Sequence, residues 1–328
     1  MLWRWSAVRS DVMLSREGLS DFPFHCHALP FVHHPFFVLG NQPSFSRIQL
    51  DAKGCPCRPD IPDFGTDGIS KISWRTSAIY PRYLTFSPRL LNLTHHQGTQ
   101  PFGPLNLLTR PPVLIPRPET EHWVLRIAEL LYPTAQHPIS LLDLGTGSGC
   151  IPLLLCHLWP PGSINAHGVD ISPHALHLAQ DNAVLCGFPS HSYDPEKPQN
   201  TFNASIANFL AEDFLSSTPR INPSFDIITS NPPYISWKEY LDLPQSVSQF
   251  EDPRALFGGP NGFDFYYAIA NLVSNNKDLL KPNALVALEV GHNQATTVER
   301  LMRNTGRFSF TDIWTDQWGK QRTVLARI

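Results

Sequence analysis

The stretch Ile139-Ser140-Leu141-Leu142-Asp143-Leu144-Gly145-Thr146-Gly147-Ser148-Gly149-Cys150, running into the apolar Ile151-Pro152-Leu153-Leu154-Leu155, leaves this chain few folds to choose from. It reads as a buried strand, a turn of alternating glycines and a helix. The glycines let backbone approach a ligand closely, and the following helix offers its positive end. A dinucleotide fingerprint would need glycine where Cys150 stands, and a phosphate loop would need a lysine. The spacing here is Asp-x-Gly-x-Gly-x-Gly. An acid just ahead of tight glycines suits a ligand that carries an ammonium and an adenosine but no phosphate, namely S-adenosylmethionine. A purely structural glycine turn remains the alternative.

The rest of the chain repeats the alternation. A second strand, Ile164 to Val169, ends in Asp170, where a carboxylate can accept from a ribose diol. Residues 173–186 read as an amphipathic helix and 187–203 as a surface insertion. A third strand near Ser205–Phe209 leads to Glu212-Asp213-Phe214, an acid and an aromatic that could bracket an adenine, although Asp213 could equally cap a helix. The fourth strand, 225–230, stops at Asn231-Pro232-Pro233-Tyr234. Two prolines lack N–H groups for a ladder and hold the residue before each of them extended. A rigid amide, carbonyls stripped of neighbouring donors and an aromatic face can grip a planar –NH2 group, while a plain strand-ending turn is the simpler reading. Helices over 265–280 and 294–304, a strand over 284–290 and closing strands near 308–314 and 322–328 complete the pattern. Upstream, Leu114 to Glu121 leads into a helix with Trp123, Val124, Ile127, Leu130 and Leu131 on one face, started by Pro118. Alternating strands and helices predict an α/β fold with a doubly wound, mostly parallel sheet, and its ligands at the carboxyl ends of the strands.

With 328 residues the chain has length for two domains, or for one with an extension. A net charge of −3 gives no global drive toward nucleic acid or membrane, and no apolar run approaches the roughly 18 residues of a span. Six scattered cysteines make no disulfide scaffold and point to a reducing compartment. Residues 1–92 show neither helical nor strand periodicity and consist of proline-broken aromatic pieces and turn clusters, so they read as an irregular or disordered extension. Residues 93–122 then read as a linker and 123–328 as the catalytic domain. His25, Cys26, His27, His33, His34, Cys55 and Cys57 lack the paired spacings of a zinc site, so no metal is expected. The opening Met1-Leu2-Trp3-Arg4-Trp5-Ser6-Ala7-Val8-Arg9-Ser10 has the composition of an organellar transit peptide, which makes the expected location mitochondrial, with the cytoplasm as the alternative.

Taken together, Ile115-Pro116-Arg117-Pro118-Glu119-Thr120-Glu121, the Asp143–Gly149 turn, Asp170 and Asn231-Pro232-Pro233-Tyr234 resemble the HemK/PrmC family of protein-(glutamine-N5) methyltransferases, which modify the Gly-Gly-Gln glutamine of peptide chain release factors. Phe250-Glu251-Asp252-Pro253-Arg254-Ala255-Leu256, Glu289-Val290-Gly291-His292 and Gly319-Lys320-Gln321-Arg322 extend the likeness, which covers roughly Gly98 to Ile328 and looks like that of a fungal mitochondrial member. The resemblance implies the class I S-adenosylmethionine-dependent methyltransferase fold and a monomer whose partner is a release factor. It implies Gly145, Thr146, Gly147, Ser148, Gly149, Asp170, Asp213, Phe214 and Asn231 for the cofactor, and Asn231, Pro232, Pro233 and Tyr234 for the substrate amide, with Asn231, Pro232 and Tyr234 catalytic. Amino-directed nucleic-acid methyltransferases share the Asn-Pro-Pro-Tyr box, so an adenine-N6 enzyme is the rival, and a non-catalytic cofactor-binding remnant is a third reading. Family members carry an N-terminal helical docking domain. Here Gly98-Thr99-Gln100-Pro101-Phe102 remains of the run that ends it, and nothing helical precedes, which implies a lost domain or, the favoured reading, a faulty gene boundary.

Overall fold

In the computed structural model, which describes residues 98–188, 198–218, 221, 223–248 and 250–328, the chain first forms a hairpin of β1 (Thr99–Phe102) and β2 (Leu105–Leu108). A seven-stranded sheet follows, built from β3 (Ile139–Leu144), β4 (Ile164–Asp170), β5 (Thr201–Ile206), β6 (Phe225–Ser230), β7 (Leu280–Glu289), β8 (Phe310–Thr315) and β9 (Gln321–Arg327). Its spatial order is β5-β4-β3-β6-β7-β9-β8. The first five strands in that order run parallel, and β9 lies antiparallel to both β7 and β8. The doubly wound, mostly parallel architecture expected from the sequence is the one observed.

Register explains the two-sided core. Leu142 pairs with Ile228, and Ile228 with Val286; all three face one layer of buried residues. One residue earlier, Leu141, Ile227 and Leu285 pair in the same way and face the opposite layer. Because side chains alternate along a strand, near-continuous apolar runs are what a sheet covered on both faces requires. α1 (Pro118–Leu130), α2 (Cys150–Leu158) and α3 (Pro173–Leu185) contribute to the second layer. α4 (Asp264–Asn275) and α5 (Ala295–Asn304) contribute Tyr266, Ile269, Val298 and Met302 to the first.

Several boundaries differ from expectation for physical reasons. The third strand spans Thr201–Ile206, not Ser205–Phe209; it is an edge strand that fully buries just Phe202, so its polar sequence hides it. α4 stops at Asn275, because Asn276 leaves helical geometry (φ −118°, ψ 89°) and its side chain donates to the Leu272 carbonyl at 2.8 Å. The β1–β2 hairpin buries Phe102, Leu105 and Leu107 in the second core layer, and α1 begins at Pro118. Folded structure therefore extends through the 93–122 stretch as far upstream as Thr99. The 1–92 extension and the histidine–cysteine stretch lie outside the described residues. Among those described, no helix is long and apolar enough to cross a membrane and no cluster of His, Cys, Asp or Glu is placed to hold a metal. Cys150, Cys156 and Cys186 are free, and of these Cys156 is fully buried.

Candidate functional site

The chain leaves β3 toward β4 on one side and reaches β6 on the other, so strand order reverses between β3 and β6. The crevice above such a reversal is where doubly wound sheets hold ligands. A cavity of about 540 Å³ opens there, lined among others by Gly145, Gly147, Asp170, Asn208, Phe209 and Asn231.

The glycine turn is held from below and left open above. Gly145 and Thr146 both donate backbone N–H to the Val169 carbonyl at 2.9 Å, folding the turn over the end of β4. Gly147 adopts φ +56°, and a Cβ built there would meet nothing within 4 Å, so a side chain at this point would occupy cavity space. Asp170 accepts from Gly147 N–H through Oδ2 and from Ser172 N–H through Oδ1, both at 2.9 Å. Each oxygen keeps lone pairs for a ligand. Burial raises its pKa, and those two backbone donors oppose the rise. From the far side, the buried Asn182 of α3 donates to the Ser148 carbonyl at 3.0 Å and clasps Leu108 of the hairpin through both its amide groups. Glycine backbone, a carboxylate with lone pairs left over and the Phe209 ring fit an adenosine-bearing cofactor.

The acid ahead of the turn behaves differently from the sequence reading. Asp143 is fully buried and accepts from Thr229 Oγ1 at 2.7 Å, zipping β3 to β6 beneath the cavity floor, so it is not available to an ammonium. Its Oδ2 has no hydrogen-bond partner among the described residues. Burial pushes its carboxyl up to about 6, with the nearby Asp170 charge adding to the rise. A raised carboxyl pKa contributes stability below the unfolded value near 3.9 and loses it as pH rises through the folded value. At neutral pH ionised Asp143 therefore costs about 3 kcal/mol. Asp143→Asn keeps the oxygen facing Thr229, so urea unfolding should show it more stable than the wild type by about 2 kcal/mol at pH 7.5 and equal to it near pH 4. A wild-type-like midpoint at pH 7.5 would show that folding does not raise the Asp143 pKa.

Asn231 follows β6 at the cavity edge. Ser230 Oγ donates to the Leu144 carbonyl at 2.7 Å, fixing the strand end against β3. Beyond it, Ile235 N–H donates to the Leu256 carbonyl and Gly258 N–H to the Ile235 carbonyl, binding this corner to the 253–258 segment. The fit is close: a Cβ on Gly258 would stand 2.6 Å from the Pro233 carbonyl oxygen. Gln294 Nε2 donates to the Tyr234 carbonyl at 2.9 Å. The Asn231 amide nitrogen donates to Thr120 Oγ1 at 3.3 Å. Among the described residues nothing donates to Asn231 Oδ1 or to the Pro232 carbonyl.

The expected site residues divide accordingly. Gly145, Gly147, Asp170, Asn231 and Pro233 line the cavity. Thr146 and Ser148 are buried beneath the turn, and Gly149 caps α2 at φ +79°. Pro232 is buried behind the rim, and Tyr234 packs against the first core layer, where burial raises its hydroxyl pKa. Asp213 and Phe214 require correction. Neither lines the cavity; Asp213 is exposed and Phe214 is a core residue, while Asn208 and Phe209 take the place at the end of β5. An aromatic group at the rim, Trp237, Tyr240 and Phe257, carried no sequence signal; Trp237 and Phe257 meet edge to face at 5.7 Å.

The ribosomal protein L11 methyltransferase (PrmA) family model matches residues 120–226. A release factor glutamine methyltransferase of Moorella thermoacetica is 36% identical over 254 residues, covering 77% of this chain and 76% of that protein. The chain belongs to the release factor glutamine methyltransferase family. A second family member, from Caulobacter vibrioides, is 33% identical over 269 residues, covering 81% and 83%. Among solved structures, the hMettl16 catalytic domain in complex with MAT2A 3'UTR hairpin 1 aligns with a TM-score of 0.53 at 15% identity, over 73% of this chain and 80% of that one. That likeness concerns the fold, a class I methyltransferase sheet.

Two of the motif stretches meet in space. Arg117 Nη2 lies 2.7 Å from both oxygens of the buried Glu251, which also accepts from Ile115 N–H at 3.3 Å. Burial raises the Glu251 pKa and the Arg117 guanidinium opposes it. The pair pins the start of α1, and with it Thr120, to the loop that backs the cavity. Removing one partner of such a pair strands the other's charge. Glu251→Ala should cost about 3 kcal/mol in urea unfolding; a loss under about 1 kcal/mol would show that the pair is not what secures this segment.

Proposed function

We propose that this chain transfers a methyl group from S-adenosylmethionine to the side-chain amide nitrogen of the glutamine in the Gly-Gly-Gln motif of a peptide chain release factor, and so acts in translation termination. The observation that carries the proposal is that Asn231, on the wall of a cavity that Gly147 and Asp170 also line, has no donor to its Oδ1 among the described residues, nor has the neighbouring Pro232 carbonyl. Family membership supports the same reading.

An amide nitrogen is a poor nucleophile because its lone pair is delocalised. Asn231 Oδ1 and the Pro232 carbonyl, accepting one N–H each, hold the –NH2 plane so that the nitrogen lone pair faces along one line. Positioning of this kind supplies up to roughly 7–11 kcal/mol of a barrier. The two oxygens also stabilise positive charge that grows on the nitrogen, in a site walled by Pro233 and Phe209 where dipoles act with little screening. Gly145, Gly147 and Asp170 hold the cofactor, which when bound supplies the electrophilic methyl carbon and leaves as S-adenosylhomocysteine. No base is required before transfer, because the alkylated amide is acidic and sheds its own proton afterwards. The partner is a release factor bound by a monomer, and the transit-like composition of the first ten residues supports a mitochondrial setting.

The test is incubation of the purified protein with methyl-labelled S-adenosylmethionine and either a release factor containing Gly-Gly-Gln or an adenine-containing oligonucleotide. Label on the glutamine alone is expected. Label on the oligonucleotide, or on neither substrate with a folded protein that binds the cofactor, would sink the proposal.

A further inference from the structure

We infer that Thr120 and Glu289 are positioning residues that fix which way round the Asn231 amide points, and that the substrate-facing oxygen of Asn231 is set by a proton-ordered relay running from Glu289 through Thr120. This inference rests on the role given to Asn231 under Proposed function and adds how that role is enforced.

An asparagine side chain can present either oxygen or –NH2 to the cavity, and only the oxygen can accept from a glutamine amide. What decides is the hydrogen count of its neighbours. Trp123 Nε1 can only donate, and it donates to Glu289 Oε2 at 3.0 Å. The same Oε2 lies 2.6 Å from Thr120 Oγ1. A threonine hydroxyl has one hydrogen, and an ionised carboxylate can take it but not give one. With that hydrogen committed to Glu289, Thr120 Oγ1 has only lone pairs to offer Asn231. The amide must therefore turn its nitrogen to Thr120, where it lies at 3.3 Å, and its oxygen the other way. Four side chains from three elements (Thr120 and Trp123 on α1, Glu289 at the end of β7, Asn231 after β6) thus specify one amide orientation.

The relay reverses if Glu289 takes up a proton. Its carboxylic acid can then donate to Thr120, whose hydrogen swings toward Asn231, and the amide turns its –NH2 into the cavity against the –NH2 of the substrate. Glu289 is 1% exposed, and burial raises its pKa. The groups facing it include Arg322 on β9, which favours the charged form, and Glu119 on α1, which opposes it. The hydroxyls of Tyr234 and Tyr266 and the Cys150 thiol complete the surroundings; Tyr266 donates to the Glu289 backbone carbonyl at 2.8 Å.

Two measurements on the full chain test the relay. The first is the methyl-transfer rate across pH with both release factor and cofactor saturating, and cofactor affinity measured separately by calorimetry. Thr120→Val should lower the turnover rate about five- to tenfold, the value of one orienting hydrogen bond, with cofactor affinity unchanged, and Thr120→Ser should restore it. In the wild type the rate should fall at acid pH as Glu289 protonates; in Glu289→Gln, whose oxygen is kept facing Trp123 and Thr120, that acid fall should vanish. The second measurement needs no turnover. The Asn231 side-chain amide signals in nitrogen-15 NMR, assigned by their loss in Asn231→Asp, should shift over the same acid range in the wild type and stay fixed in Glu289→Gln. A Thr120→Val enzyme with the wild-type rate and pH profile, or Asn231 signals indifferent to pH in the wild type, would overturn the relay. If the wild type labels no glutamine, the proposed function falls, and the NMR measurement still decides the relay.

Discussion

Replacing Asn231 with alanine lowers methyl transfer to the release-factor glutamine by about a thousandfold while leaving the fold and the affinity for S-adenosylmethionine in place. Among the described residues its side chain makes one hydrogen bond, to Thr120 Oγ1 at 3.3 Å, which is long for such a bond, so its loss costs little stability. What disappears is half of the acceptor pair that holds the –NH2 plane. The Pro232 carbonyl remains, because backbone cannot be deleted, and one acceptor no longer defines the plane. The loss should fall in the turnover rate with a modest change in KM, since orientation matters most at the transition state. Asn231→Asp separates the two contributions. Its carboxylate keeps an acceptor but has no N–H to give Thr120, whose hydrogen is already committed to Glu289, so two acceptors face each other. The aspartate variant should retain more activity than alanine and less than the wild type. Single-turnover kinetics with labelled cofactor would read both, and an alanine variant transferring methyl at the wild-type rate would remove Asn231 from the chemistry.

Much of this architecture was legible because buried strands have to be apolar on both faces. Ile227, Ile228 and their partners on β3 and β7 form runs that a parallel sheet with two covered faces demands, and the glycine turn and Asp170 mark where those strands end. The edge strand was not legible, since five of the six residues of Thr201–Ile206 escape full burial and the sequence had no reason to be apolar. A strand read at Ser205–Phe209 instead of Thr201–Ile206 points past Asn208 and Phe209, which line the cavity, to Asp213 and Phe214, which do not. Buried polar residues were hidden for a different reason. Asn182, Thr120, Glu289 and Gln294 each have at least one partner 60 or more positions away, so no local pattern distinguishes them from surface polar residues. Glu289 and Thr120 stood inside recognisable motifs, yet only three-dimensional proximity reveals that each owes its place to the other and to Asn231.

Asp170 gives the complementary result, a loss of cofactor binding ahead of chemistry. Asp170→Ala removes the acceptor offered to the ribose diol and also frees Gly147 and Ser172, whose N–H groups its two oxygens hold at 2.9 Å. Hydrogen bonds to a charged group are worth about 1.5–3 kcal/mol each, so cofactor affinity should fall on the order of a hundredfold. The glycine turn keeps its anchors to Val169 and Asn182, so the variant should remain folded. Asp170→Asn is nearly as damaging, because its –NH2 replaces one acceptor and faces the Gly147 or Ser172 N–H donor to donor. Wild-type affinity should itself depend on pH. The diol prefers the ionised carboxylate, whose pKa burial has raised, so binding weakens as pH falls through that value and is restored above it. Calorimetry with S-adenosylhomocysteine from pH 4.5 to 8 measures all three effects without turnover. Asn231→Ala should follow the wild-type curve throughout, whereas Asp170→Ala should bind weakly at every pH and show no acid limb. The opposite pattern, an Asp170 variant that binds normally and an Asn231 variant that does not, would place the cofactor on the β6 side of the cavity and exchange the roles of its two ends.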